Sequence, residues 1–374
     1  MRSQTPLYNK DKRATKNKRS DTPFGGLSAS LLEWYDQNAR ILPWRTGPNK
    51  KNQRSDPYHV WLSEIMLQQT TVATVGPRYL EFLEKWPTIE DMAHAPRDDI
   101  LGAWAGLGYY ARARNLHKCA QMIVYDNDGQ FPQTAIELKA LPGIGDYTAA
   151  AIASIVFDER VIVMDGNIER IIARLVREET ALPAAKTILK EKLDKVWPQT
   201  RNGDFAQAMM DLGAQICRPK APACELCPIA SHCLAKRAGE PEQYPVKAPK
   251  KKKPIRYGVA FVVQHADGSI AFVRRPEKGL LGGMLGLPGN EWSEQGDKKM
   301  AQTRLAATAP LKEKWRYGGT ARHTFTHFHL EMGIYSCHTS RKKTKEFIWL
   351  DPQNVRLPTV MQKGLDIGLA DQEK

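Results

Sequence analysis

Along the chain the spacing of apolar residues changes character near residue 256. Upstream, apolar side chains recur at three- and four-residue intervals, the spacing of helix faces; downstream they gather in short runs rich in β-branched and aromatic residues, as strands do. Ser30-Leu-Leu-Glu33 has the form of a capping box and predicts a helix through Trp34 and Tyr35. Asp56-Pro57 predicts a second helix start, with Asp as cap and Pro in the first turn. On that helix Trp61, Glu64, Ile65, Gln68 and Val72 would share one face, which sets a carboxylate and an amide in an apolar stripe. A helical pattern stops at Leu141, Pro142-Gly143-Ile144-Gly145 interrupts it, and Ala149 to Ala153 starts another. An apolar segment ending at Asp165 leads into a helix from Ile168 to Leu175. In the last third, Tyr257 to Val263 and Ile270 to Val273 predict a hairpin turning at His265-Ala-Asp-Gly268. Further strands are predicted around Phe325 to Tyr335 and at Glu346 to Leu350. The prediction is a helical first part followed by a mixed α/β part.

Composition adds a domain count and a charge. At 374 residues, 42% of them hydrophobic and 26% charged, the chain can bury two or three cores and is not broadly disordered. Its net charge of +14 points to a polyanionic partner. That charge is unevenly spread. Residues 1–25 carry seven basic residues against two acids, and 246–256 carry six against none. The first reads as a disordered basic tail and the second as a soluble linker, so the remaining parts are nearly neutral and must recognise a polyanion through local motifs. No run of 18 apolar residues occurs, and the basic N-terminal stretch lacks an apolar core, so no membrane span and no secretory signal are expected. A bacterial cytosol is the expected location.

Four of the six cysteines fall close together, as Cys217, Cys224, Cys227 and Cys233. So short a loop favours four thiolates on one metal centre over two disulfides. A zinc site remains an alternative, but only one paired C-x2-C knuckle is present, and unequal spacing suits the corners of an iron-sulfur cubane. Arg218 and Lys220 between the first two ligands are candidate phosphate contacts, while the isolated Cys119 and Cys337 read as small core residues. Leu141-Pro-Gly-Ile-Gly145 followed by Thr148 has helix-hairpin-helix punctuation: Gly143 and Gly145 would let backbone amides approach a DNA phosphate, with Ile144 plugging the gap between helices. Glu64 either turns to a polar edge or is buried, with its pKa raised into the range of a general acid. Asp165 reads as a helix cap held rigid and ionised, suited to stabilising a developing cation. Two carboxylates in opposed environments are what acid catalysis with cation stabilisation requires.

Together, Val60-Trp-Leu-Ser-Glu-Ile-Met-Leu-Gln-Gln-Thr70, the Leu-Pro-Gly-Ile-Gly hairpin, Asp165-Gly-Asn167 and the four-cysteine loop resemble the MutY adenine DNA glycosylases of the endonuclease III superfamily, over residues 26 to 374. The resemblance implies a monomeric, DNA-bound base-excision repair enzyme, nucleoid-associated, that removes adenine from A:8-oxoguanine or A:G mispairs in double-stranded DNA and carries one [4Fe-4S] cluster. It implies that Glu64 protonates adenine N7, that Asp165 stabilises or captures the oxocarbenium ion, and that Asn167 assists by hydrogen bonding. Bifunctional relatives carry a Schiff-base lysine where this chain has Tyr147, so strong lyase activity is not expected. Gln69 and Tyr109 match positions that insert near the lesion while the base is flipped.

Arg274 to Gly289 resembles the approach to a Nudix (MutT-like) fold, yet the R-E-x-x-E-E carboxylates that would hold Mg²⁺ are missing, which excludes a second hydrolase activity. In MutY proteins this domain inspects 8-oxoguanine with an F-S-H loop; here the run is Phe325-Thr326-His327, which keeps the hydroxyl and adds a methyl group. The expected organisation is multidomain. A basic tail (1–25) precedes an all-α helix-hairpin-helix glycosylase domain (26–238), made of a six-helix module (about 53–160) and a cluster module (about 26–52 with 161–238). A basic linker (239–256) and an α/β MutT-like 8-oxoguanine recognition domain (257–374) follow. The rival readings are a bifunctional glycosylase and lyase, a non-catalytic mismatch-binding protein and a Nudix hydrolase.

Overall fold

The computed structural model describes residues 24–48, 55–104, 106–249, 252–276, 279–294 and 309–370. Most of the basic tail, part of the linker and the stretch where Nudix carboxylates would fall lie outside these residues. Helices come first: α1 (Leu27–Asn38), α2 (Pro57–Leu67), α3 (Val72–Lys85), α4 (Ile89–His94), α5 (Arg97–Ala103), α6 (Ala111–Asp126), α7 (Ala135–Leu138), α8 (Asp146–Phe157), α9 (Gly166–Val176), α10 (Lys186–Asp194), α11 (Asn202–Gln215) and α12 (Leu234–Arg237). Strands follow: β1 (Ile255–His265), β2 (Ile270–Arg274), β3 (Leu285–Gly286), β4 (Arg316–Thr324), β5 (His329–Thr339) and β6 (Ile348–Leu350), then helix α13 (Thr359–Ala370). Among the described residues no helix is long and apolar enough to cross a membrane.

The chain divides into two compact units, one holding residues 1–64, 132–140 and 144–248, the other 65–131, 141–143 and 249–374. In the first, α1, α8, α9, α10 and α11 bury one apolar core that includes Leu31, Tyr35, Ile168, Ile172, Phe205 and Leu212. A fully buried aliphatic or aromatic side chain contributes about 1.5–3 kcal/mol, so this core fixes the helix starts that carry the site. In the second unit β1 runs parallel to β5 and antiparallel to β2, and β4 closes the far edge against β5. The described strands order as β3-β2-β1-β5-β4, with β6 on β2. Val360, Met361 and Leu365 of α13 pack with Leu330, Met332 and Ile334 of β5.

Several boundaries differ from the sequence reading. Helix α1 starts at Leu27 after Gly26, so Ser30 lies inside it, its amide bonded to the Gly26 carbonyl. The apolar residues Leu27 and Leu31 drive this earlier start, because both are buried. Asp56 does cap α2, its Oδ1 accepting from the Tyr58 amide at 2.8 Å. Yet α2 stops at Leu67, and Val72 belongs to the next helix, whose cap is Thr71. Helix α8 starts at Asp146 rather than Ala149. Phe325 to Phe328 form the turn between β4 and β5 rather than strand, closed by the Phe325 amide on the Phe328 carbonyl at 2.9 Å.

Candidate active site

Glu64 sits on α2 among Leu62, Ser63 and Ile65, all buried, and is itself only 7% exposed. Burial pushes its pKa up to about 7; the Tyr147 hydroxyl, which donates to it, and the Arg45 charge work the other way, while Asp165 adds to the rise. The helix therefore keeps the carboxyl in the apolar stripe and does not turn it to solvent. Tyr147 stands in the first turn of α8, its own pKa raised well above the usual phenol value by burial and by the carboxylates Glu64 and Asp165.

Asp165 caps α9, its Oδ1 accepting from the Ile168 amide at 2.7 Å and its Oδ2 from Asn167 Nδ2 at 3.0 Å. Burial raises its pKa; the Ile168 amide, the Asn167 donors and the Arg170 charge act against that rise. The cap alone does not keep Asp165 at the ordinary carboxylate value, as its sequence position implied; a set of donors offsets a real desolvation cost. Asn167 in turn accepts from Arg170 Nη2 at 2.9 Å, and Arg170 donates to the carbonyls of Gly213 and Cys217, both at 2.8 Å. A side chain at position 213 would put its Cβ 2.6 Å from Asn167 Cβ, so glycine is what lets α11 approach this network.

The fully buried Asp211 of α11 accepts from the Arg40 amide at 3.0 Å, from Arg40 Nε at 2.6 Å and from Arg45 Nη1 at 2.7 Å. It thereby holds Arg45, whose charge acts on Glu64, Tyr147 and Tyr35. Sequence reasoning missed Arg45, Asp211 and Arg170. The available signal was an acid in the otherwise apolar helical run Met209-Met-Asp-Leu212, which demands a buried cation.

Cys217, Cys224, Cys227 and Cys233 line one cavity with Arg174 and Lys236. All four are unpaired thiols, and burial raises the pKa of Cys224, Cys227 and Cys233, Cys227 to about 12. Among the described residues no three His, Cys, Asp or Glu side chains are arranged around one ion position. Four thiols lining one cavity, three of them held protonated by burial until a cationic centre compensates them, fit a metal cluster. The buried Arg174 anchors the loop, donating to Cys217 Sγ at 3.3 Å and to the carbonyls of Arg218 and Pro219 at 2.8 and 3.0 Å.

At the hairpin, Ile144 is buried and Gly143 has φ +80°, where a Cβ would meet Asn115 Cβ at 2.7 Å. Gly145 is extended, with open space where a Cβ would lie, so only the first glycine is required by backbone geometry. In the second unit Gln69, Tyr109, Phe325, Thr326 and His327 line one cavity of about 610 Å³. Gln69, Tyr109, Thr326 and His327 are exposed, and Tyr109 Oη lies 2.9 Å from Thr326 Oγ1. Phe325 packs edge-on to His323 and stacks on Trp292.

Residues 62–199 match the HhH-GPD superfamily base excision DNA repair protein family, and residues 259–366 match the NUDIX domain. An adenine DNA glycosylase of Arabidopsis thaliana is 37% identical, the alignment covering 86% of this chain and 54% of that protein. The chain thus spans about half the length of the plant relative. An adenine DNA glycosylase of Buchnera aphidicola (Schizaphis graminum) is 33% identical over 91% of this chain and 98% of its own. The solved structure of a thermostable thymine-DNA glycosylase superposes with a TM-score of 0.50 at 27% identity, covering 57% of this chain and 95% of that one. A helical repair segment, a Nudix-class sheet and a bacterial relative aligned over nearly its whole length converge on one answer, and the chain belongs to the adenine DNA glycosylase family.

Proposed function

We propose that the protein flips adenine out of double-stranded DNA where it pairs with 8-oxoguanine or guanine and hydrolyses its N-glycosidic bond, without strong lyase activity. The observation that carries this reading is the buried Glu64 carboxyl, raised to about 7 beside Tyr147 and Asp165, because such a group is half protonated near neutral pH and can give up its proton there. Glu64 delivers that proton to adenine N7 as the bond to the sugar breaks. Asp165, fixed by Ile168 and Asn167, carries the negative charge that meets the oxocarbenium ion. Tyr147 orients Glu64 and, being a phenol, forms no imine with the sugar. Gly143 and Gly145 offer backbone amides to a phosphate, and Gln69, Tyr109, Phe325, Thr326 and His327 meet the displaced base pair and the lesion.

Cys217, Cys224, Cys227 and Cys233 would hold one [4Fe-4S] cluster, which supplies charge compensation and a rigid loop when bound. The protein works as a monomer on DNA. Single-turnover base release from duplexes carrying A opposite 8-oxoguanine, A opposite G, and thymine glycol tests the reading, with borohydride trapping alongside. Adenine release with little trapped covalent product is expected. Thymine glycol release with efficient trapping would assign the bifunctional rival instead, and DNA binding without release of any base would assign the mismatch-binding one.

A further inference from the structure

We propose that Arg112 is a positioning residue that ties the loop bearing Gln69 to the loop bearing Tyr109, so that both side chains enter the duplex as one unit. The inference rests on the base-flipping reading above and adds a residue to it. Arg112, on α6, reaches back to two separate loops with one guanidinium. Its Nη1 donates to the carbonyls of Ile65, Met66 and Gln68 at 3.0, 3.0 and 2.6 Å. The first two belong to the last turn of α2, whose carbonyls have no partner within the helix, so Arg112 acts as a C-cap with charge of the favourable sign. Its Nη2 donates to the carbonyls of Leu107 and Gly108 at 2.7 and 3.3 Å and to Thr70 Oγ1 at 3.4 Å. The plane lies over the rings of Trp104 at 5.1 Å and Tyr109 at 5.8 Å.

At the tips of these loops Gln69 has φ +57° and Tyr109 φ +48°. Side chains other than glycine hold the left-handed conformation only where the surroundings impose it, and the element common to both loops is this guanidinium. Both tip residues are exposed, Tyr109 by 53%, so the strain holds two side chains outward and not in a core. A side chain that fills the hole left by a flipped base must already be extended when the base leaves, since ordering it at that moment adds to the unstacking cost. Lysine cannot replace the anchor, because a point ammonium lacks the planar fork that reaches two sets of carbonyls at once.

Two readouts on the whole chain decide the matter. In hydrogen exchange of the DNA-free protein, Arg112→Lys should speed exchange in peptides covering both 65–71 and 106–111, with unchanged exchange in α9. The second readout is fluorescence of 2-aminopurine placed opposite 8-oxoguanine. In the native background, Gln69→Ala and Tyr109→Ala together should lower the flipped fraction hardly more than the worse single change. In the Arg112→Lys background the starting fraction should fall about tenfold and the two losses should become independent. Exchange raised in one loop or neither would overturn the tie, and raised exchange in both with unchanged flipping would overturn its role in insertion. Should the native protein release no adenine from any duplex, the proposed reaction fails, while the exchange data still decide whether Arg112 couples the loops. Arg112→Met serves as the control for charge, and is expected to match Lys in flipping if geometry is what matters.

Discussion

The carboxylate site of the first unit and the exposed loops of the second solve opposite problems. Around Glu64, Asp165 and Asp211, burial makes charge expensive, and nearly every polar atom is met by a fixed donor. Around Gln69, Tyr109 and Thr326, side chains are exposed, with Tyr109 Oη and Thr326 Oγ1 2.9 Å apart, and the backbone beneath Gln69 and Tyr109 is held in the left-handed region. One region therefore sets proton affinity and the other sets shape. Changes in the first should alter the rate of bond breaking with DNA binding retained. Changes in the second should alter which duplexes are engaged, with the chemistry of a flipped adenine intact.

The largest effect is expected at Asp165. Asp165→Asn keeps the cap but removes the charge, and single-turnover adenine release should fall about a thousandfold with little change in duplex affinity. A fall in binding of the same size would erase the distinction between the two regions. Arg170→Met leaves Asn167 Oδ1 without its donor and removes the donors to the carbonyls of Gly213 and Cys217. Release should slow about tenfold and the midpoint of thermal unfolding should drop, since a buried acceptor left unmet costs about 1–3 kcal/mol. In the loop region, Thr326→Ala should reduce the preference for A opposite 8-oxoguanine over A opposite G by about fivefold, the value of one hydrogen bond, while release from A:G duplexes at saturating protein stays nearly constant.

Stability reports the desolvation of Glu64 apart from any catalytic readout. Because the Glu64 pKa is raised in the folded protein to about 7, ionising it costs folding energy that is absent below the unfolded value near 4.5 and fully present above about 7. Glu64→Gln should therefore match the native protein in stability at pH 4 and exceed it by about 3 kcal/mol at pH 8, measured by urea unfolding. Equal stability at both pH values would mean that the carboxyl is not desolvated.

How much of this was legible in the sequence follows the same division. Asp56 and Asp165 cap their helices as their local sequence implies, although the ionisation of Asp165 depends on burial as well. Four cysteines within a short loop announced a common cavity, and the family motifs carried the order of domains. The end of α2 was not legible, because the carbonyls of Met66 and Gln68 are met by Arg112, 46 and 44 residues further along the chain, and no local stop signal precedes Gln69. Strand β4 was hidden by Gly318-Gly319 and by polar residues at an edge position, and α13 by Gly364 and Gly368 within a helix. Arg45 and Asp211 escaped for a related reason: each looks ordinary alone, and only their pairing across 166 residues makes Asp211 tolerable in a core. Local rules read caps and turns; long-range electrostatic pairs must be seen in space.

The central claim is that burial keeps Glu64 protonated at the pH where the reaction runs. The pH dependence of single-turnover adenine release from an A:8-oxoguanine duplex, for the native protein and for Glu64→Gln, tests it most directly. Native release should be flat below about pH 6 and fall tenfold per unit above about pH 7, as Glu64 loses its proton. Glu64→Gln should be slower by about a thousandfold and lose that inflection. A Glu64→Gln protein that kept the native rate, or kept the inflection near pH 7, would contradict the assignment of Glu64 as the acid.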